Sequence, residues 1–271
     1  MDILVRFYRT CNLLNLDVVA GTVISALFFS KLFLVSPHAP DIIVLGLTVW
    51  IIYTVDRLLD IRNLASTAAS ERHKFHQLNQ RLLWKLIFCI GLIIIFLIFY
   101  LSSVVLWNGM YLSGAVVIYI LLQKYLKAKE IVVALLYTAG VLLPGWSLRL
   151  TAVSTEGYLL ITQLFIVALI NLFLFSWFEY DTDQQDGHSS IAIRWGKKAS
   201  GNFLLILSGI NLLITLFLFI QYSVAIPALP FLLMTLVLIA IFKFHNFFMI
   251  DSRYRIVGDA VFIIPLLGIL L

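Results

Sequence analysis

The chain has 271 residues, of which 62% are hydrophobic, 14% aromatic and only 12% charged, with a formal net charge of +5. A mean hydropathy of +1.03 excludes a water-soluble domain, whose charged fraction runs near 25%. Cys11 and Cys89 lie in or beside separate apolar runs and offer neither a disulfide framework nor a metal-ligand spacing.

Stretches near 20 apolar residues predict nine spanning helices, at about 13–35, 40–60, 82–105, 109–123, 130–150, 157–179, 202–222, 225–245 and 256–271. The expected fold class is therefore an all-α integral membrane bundle, with residues 1–271 forming a single membrane domain. Arg6 and Arg9 precede the first run, but that run contains Asp17 and is followed by no small-residue cleavage site. It reads as a retained helix rather than a signal peptide. With a cytoplasmic N-terminus, every Lys and Arg but Lys31 and Arg149 falls in an inside segment, so the expected orientation puts the N-terminus and the long loops in the cytoplasm. Basic residues so distributed orient helices and meet anionic headgroups of the lipid bilayer; they do not predict a nucleic-acid partner.

The second span ends in Tyr53-Thr54-Val55-Asp56-Arg57-Leu58-Leu59-Asp60-Ile61-Arg62, and Glu71-Arg72-His73-Lys74-Phe75-His76 follows in the next loop. Asp56 and Asp60 are four residues apart and share a helix face. Mg²⁺ takes one or two carboxylates, waters and phosphate oxygens, so such a pair beside cations suits a metal-bridged diphosphate. Neutralisation of the acids by Arg57 and Arg62 is the plainer alternative.

The sixth span ends in Glu179-Tyr180-Asp181-Thr182-Asp183-Gln184-Gln185-Asp186, with Arg194 beyond it. Four acids within eight positions repel one another unless a cation relieves them, and acids do little for topology. Lys124, Lys127 and Lys129 lie on a third inside segment, where they serve either phosphate binding or orientation. Inside the spans, Asn12, Asn15, Asp17, Asn171, Asn211 and Asp259 need partners or a cavity. Asn171 precedes Glu179 by eight residues, about two turns deeper on nearly the same face, and is a candidate pocket residue; hydrogen bonding between helices is its alternative. Tyr53 and Tyr180, beside the acidic pairs, are candidates to face an allylic cation.

These two acidic motifs resemble those of the UbiA superfamily of membrane prenyltransferases, whose members carry nine helices and aspartate-rich motifs after helices two and six. Asp56 and Asp60 match the last two acids of the first motif, Asn-Asp-x-x-Asp-x-x-x-Asp. Asp183, Gly187, Ser190, Ile191 and Gly196 keep the spacing of the second motif and its downstream frame. The chain departs from the family at Ile52-Tyr53, where the family has Asn-Asp, and at Glu179, which replaces the first Asp of the second motif.

The resemblance implies a helical bundle around a central apolar cavity and a Mg²⁺-dependent transfer of a prenyl group from a polyprenyl diphosphate to a small-molecule acceptor, aromatic in one reading. Asp56, Asp60, Glu179 and Asp183 would hold metal, with Tyr53 beside the reacting carbon. Arg62, Arg72, Lys124, Lys127, Asn171, Tyr180 and Arg194 would bind substrate. A terpene cyclase of the same fold and a non-catalytic isoprenoid-binding protein are the alternatives.

Overall fold

The computed structural model describes residues 2–62, 71–123, 125–126, 128–186, 190–222 and 225–271. In hydrocarbon no water is available to backbone amides and carbonyls, so long apolar runs satisfy them internally. Accordingly, the described residues are helical and contain no strand. The helices are α1 (Asp2–Leu13), α2 (Leu16–Leu32), α3 (Ala39–Arg62), α4 (Glu71–Leu78), α5 (Gln80–Leu97), α6 (Ser103–Leu122), α7 (Lys129–Leu148), α8 (Thr155–Phe178), α9 (Tyr180–Asp186), α10 (Ile191–Trp195), α11 (Lys197–Gln221), α12 (Ala225–Lys243), α13 (His245–Met249), α14 (Arg253–Ala260) and α15 (Leu266–Leu270).

Seven of them are long and apolar enough to cross a membrane: α3, α5 with its extension to Tyr100, α6, α7, α8, α11 and α12. The protein is thus a multi-pass membrane bundle. The first and ninth expected spans take a different form. Asn15 adopts φ 57° and separates α1 from the 17-residue α2. The last span is divided into α14, a 3-10 turn at Val261–Ile263, and α15, which begins after Pro265.

Helix α8 is the axis of the bundle. Of its membrane stretch 72% is buried, against 6% for α5 and 11% for α6, which therefore form a wall toward lipid. Around α8 stand α7, α11, α12 and α14, while α2 lies between α3 and α7. Polar side chains join the buried helices: Gln163 donates to Thr215 Oγ1 at 2.6 Å and Asn211 to Thr235 Oγ1 at 2.6 Å, linking α8 to α11 and α11 to α12.

Two local features position the functional region. At the start of α3, the Asp41 carboxylate accepts from His38 N (3.1 Å), Ser102 N (3.1 Å) and Ser102 Oγ (2.9 Å), which ties the start of α3 to that of α6. At Gly258, a Cβ would stand 2.6 Å from Phe175 Cε1 and 2.9 Å from Asn171 Oδ1. Only a glycine lets α14 approach α8 so closely, and that approach brings Arg255 and Asp259 to the same small space as Asn171.

Candidate active site

Two neighbouring spaces lie near the acidic motifs. The larger, about 450 Å³, is bounded by α3, α5, α6 and α7 and lined almost wholly by apolar side chains. Along α3 it runs from Asp41 to Tyr53, twelve residues or about 18 Å of helix. Three tyrosines, Tyr53, Tyr119 and Tyr137, stand in its wall. The smaller space, about 50 Å³, shares Tyr53, Val133 and Tyr137 with the first, and Arg57, Arg72, Arg255, Asn171 and Asp259 also line it. Val18, Ala168, Leu172, Phe175 and Phe262 complete its wall, so a small chamber that holds three arginines among apolar side chains adjoins the apolar cavity at Tyr53 and Tyr137.

Asp56 and Asp60 stand on the last two turns of α3, one turn and two turns past Tyr53. Asp60 Oδ2 is 3.5 Å from Arg57 Nη1 and 4.0 Å from His73 Nε2. The carboxylate of Asp56 meets Gln123 at the end of α6, with Lys129 of α7 within electrostatic reach.

Glu179 caps the C-terminus of α8. Both its oxygens accept from Arg255, through Nε and Nη2, and Oε1 also accepts from the Tyr254 hydroxyl at 3.0 Å. Tyr254 is held in turn by stacking on Phe178, with ring centroids 4.3 Å apart and planes within 4°. Burial opposes the charge on Glu179, but Arg255, Arg57 and Tyr254 together outweigh it and keep the carboxyl below the usual glutamate range.

Of the other expected residues, Arg72 and Asn171 are buried and face the chamber. Arg72 donates to Asn15 Oδ1, which gives the left-handed Asn15 a role in fixing α4. Asp183 and Tyr180 are half-buried on α9. Arg62 and Arg194 are exposed at helix ends and line neither space. Lys124 and Lys127 lie outside the described residues.

Arg255 and Asp259 complete the chamber. Arg255 entered the sequence reading only as an inside charge. Its signal was the four-residue spacing from Asp259, the same spacing that singled out the acidic pairs. Asp259 pairs through Asn12, whose amide donates to both Asp17 and Asp259, so three polar residues noted separately form one buried cluster.

The two motifs differ in their capacity for a divalent ion. Asp56 and Asp60 are a pair of carboxylates on one helix face, a donor set that Mg²⁺ accepts when phosphate and water complete it. At the second motif, a cation at Glu179 would stand directly against the Arg255 guanidinium. Among the described residues no three Asp, Glu, His or Cys side chains gather as a ligand set. The residues fit one metal at the first motif and do not fit another at Glu179.

No protein-family model and none of the curated proteins matches the chain. A solved structure described as digeranylgeranylglyceryl phosphate synthase in membranes matches over 100% of both chains, with a TM-score of 0.55 and 14% identity. The likeness extends to the whole bundle and is one of fold: this chain folds as that synthase does.

Proposed function

We propose that this protein is a UbiA-type prenyltransferase that transfers a prenyl group from an allylic polyprenyl diphosphate to a small-molecule acceptor. The observation that carries the reading is a chamber of about 50 Å³ bearing three arginines that shares a wall with an apolar cavity of about 450 Å³. One space suits an anionic head and the other an isoprenoid tail. The fold of the matched synthase supports the same class of reaction.

In this reading the C–O bond of the allylic diphosphate breaks and its electron pair leaves with the diphosphate. The acceptor forms a new bond to the allylic carbon and loses a proton. Arginine side chains favour the departing anion as its charge develops, where fixed charges lower the barrier most. Tyr53, Tyr119 and Tyr137 line the cavity, and aromatic rings turned face-on to it would stabilise the allylic cation. The apolar cavity wall excludes water that would quench it. Mg²⁺ bound by Asp56 and Asp60 would supply Lewis-acid stabilisation of the leaving group. The charge asymmetry of the loops supports a cytoplasmic N-terminus and a cytoplasmic site.

The three tyrosines also favour a second reading, in which the double bonds of the substrate attack the cation and the protein is a cyclase. Purified protein in detergent, given allylic diphosphates of several lengths with and without Mg²⁺, should release pyrophosphate. The masses of the products separate the readings: a prenylated acceptor identifies the transferase, and a cyclic hydrocarbon or alcohol formed without acceptor identifies the cyclase. No release under any condition from folded protein refutes both.

A further inference from the structure

Glu179 engages a guanidinium with both oxygens where the family motif has an aspartate, and that guanidinium, Arg255, reaches into the chamber. Arg72 and Arg255 are 6% and 9% exposed, and each arrives with donors left over. Arg57 Nε, Arg72 Nε and Arg255 Nη1 have no hydrogen-bond partner, and neither has Asn171 Oδ1. Buried charged donors without acceptors are among the costlier arrangements in a protein, so three at one small space point to an acceptor that belongs there.

The chemistry of that acceptor follows from the donors. Guanidinium N–H groups match the oxygens of a phosphoryl group, and three guanidinium groups share the lining with the carboxylate of Asp259, Asn171 and apolar and aromatic side chains. Glu179 and Asp60 already hold one side of Arg255 and Arg57, which leaves the unpaired N–H groups for a ligand. Rotation of the Asn171 amide exchanges its oxygen for an NH₂ donor. At 50 Å³ the chamber has room for about three or four oxygen-sized atoms, the terminal oxygens of one phosphoryl group rather than a whole diphosphate. The shared Tyr53, Val133 and Tyr137 leave the ester side of such a group facing the apolar cavity.

We propose that Arg57, Arg72 and Arg255 form a metal-independent seat for a terminal phosphoryl group, with Arg255, aimed by Glu179, standing where a second divalent ion would otherwise neutralise the ligand. That the ligand carries an isoprenoid tail rests on the prenyltransferase reading; the affinity for phosphoryl oxygen does not.

The test is binding to the full-length protein in detergent, read by thermal shift and calorimetry with inorganic phosphate, pyrophosphate and an allylic thiolodiphosphate. In EDTA the thiolodiphosphate should bind within about tenfold of its affinity in Mg²⁺, and pyrophosphate should compete with it. Arg72→Lys keeps the charge but removes the fork, and should weaken binding in EDTA by at least about tenfold. The double variant Glu179→Gln/Arg255→Met removes an ion pair as a unit and should do the same; Arg72→Lys keeps the test valid if the double variant does not fold. Binding only in the presence of Mg²⁺, or binding in EDTA that neither variant weakens, overturns the seat. Binding in EDTA without pyrophosphate release from any allylic diphosphate upholds the seat and removes the transferase. Mg²⁺-dependent release with no binding in EDTA does the reverse.

Discussion

Two glycines in the apolar cavity make its length an experimental variable. Gly109 on α6 and Gly140 on α7 both line it, and a Cβ at either meets nothing within 4 Å. An extended chain advances about 1.2 Å per bond, so an isoprene unit of four chain bonds spans about 5 Å. A cavity of about 18 Å then takes three to four units. Gly109 lies ten residues outward from Tyr119 and Gly140 three residues outward from Tyr137, about 15 Å and about 4.5 Å of helix. Leucine at Gly109 should obstruct the last unit, and leucine at Gly140 everything beyond the first. Because the tail starts in lipid, which is as apolar as the cavity, discrimination comes from steric fit rather than from leaving water. Overpacking costs about 1–3 kcal/mol, a factor of roughly 5 to 150. Replacing glycine within a helix favours folding by up to about 1 kcal/mol, so the variants should remain intact. The assay is kcat/KM for five-, ten-, fifteen- and twenty-carbon allylic diphosphates in competition. Gly109→Leu should depress only the longest, whereas Gly140→Leu should depress all but the shortest. Unchanged ratios in both folded variants would refute the assignment of this cavity to the tail.

Glu179→Gln leaves the Arg255 guanidinium buried without its counter-ion and should lower stability by about 3–5 kcal/mol, with much of the loss recovered in Glu179→Gln/Arg255→Met; thermal unfolding in detergent measures both. Asp60→Asn should reduce pyrophosphate release by at least about a hundredfold and Asp183→Asn by less than about tenfold, because Glu179, the neighbour of Asp183 one turn away, is already paired with Arg255; equal losses would contradict that asymmetry. Burial pushes His76 down to about 4, with Arg57 and Arg72 adding to the effect and the 2.8 Å bond to the Arg72 carbonyl opposing it. The unfolded chain therefore takes up this proton first, near pH 6.5, and the folded protein should lose up to about 3 kcal/mol as pH falls from 6.5 to 4. That slope should be flatter in His76→Gln, and identical slopes would show that His76 does not report the stability of α4.

The long helices were legible because a bilayer enforces one rule on backbone polarity, and apolar runs obey it visibly. Their ends were less so. Helix α6 begins at Ser103 rather than near 109, and it accommodates Asn108 because the amide donates to Ser147 Oγ of α7 at 2.9 Å. The break at Asn15 was hidden for a similar reason: asparagine tolerates the left-handed conformation, and no proline or glycine marks the place. Within the site, Asp56, Asp60 and Arg72 stood out by spacing and setting. Arg255 did not, because one basic residue in an inside segment has a sufficient explanation in topology. The cluster of Asn12, Asp17 and Asp259 joins residues up to 247 apart in sequence, and periodicity carries no information across such a distance.

The two acidic motifs thus occupy comparable places in the bundle but have different electrostatic endings. On α3, Asp60 is paired with Arg57 at 3.5 Å and His73 at 4.0 Å, single-point contacts that must open to admit a metal or a phosphate. At Glu179 the cation is already part of the chain, gripped by both oxygens and backed by a tyrosine that is itself stacked. The longer side chain of glutamate suits this arrangement, since it reaches an arginine on a neighbouring helix whose approach depends on Gly258. A covalently tethered cation cannot dissociate with the product or be removed by a chelator. It also cannot expand its coordination shell as charge develops, so in the proposed reaction the half of the site at Glu179 would hold the anion and the half at Asp56 and Asp60 would assist its departure.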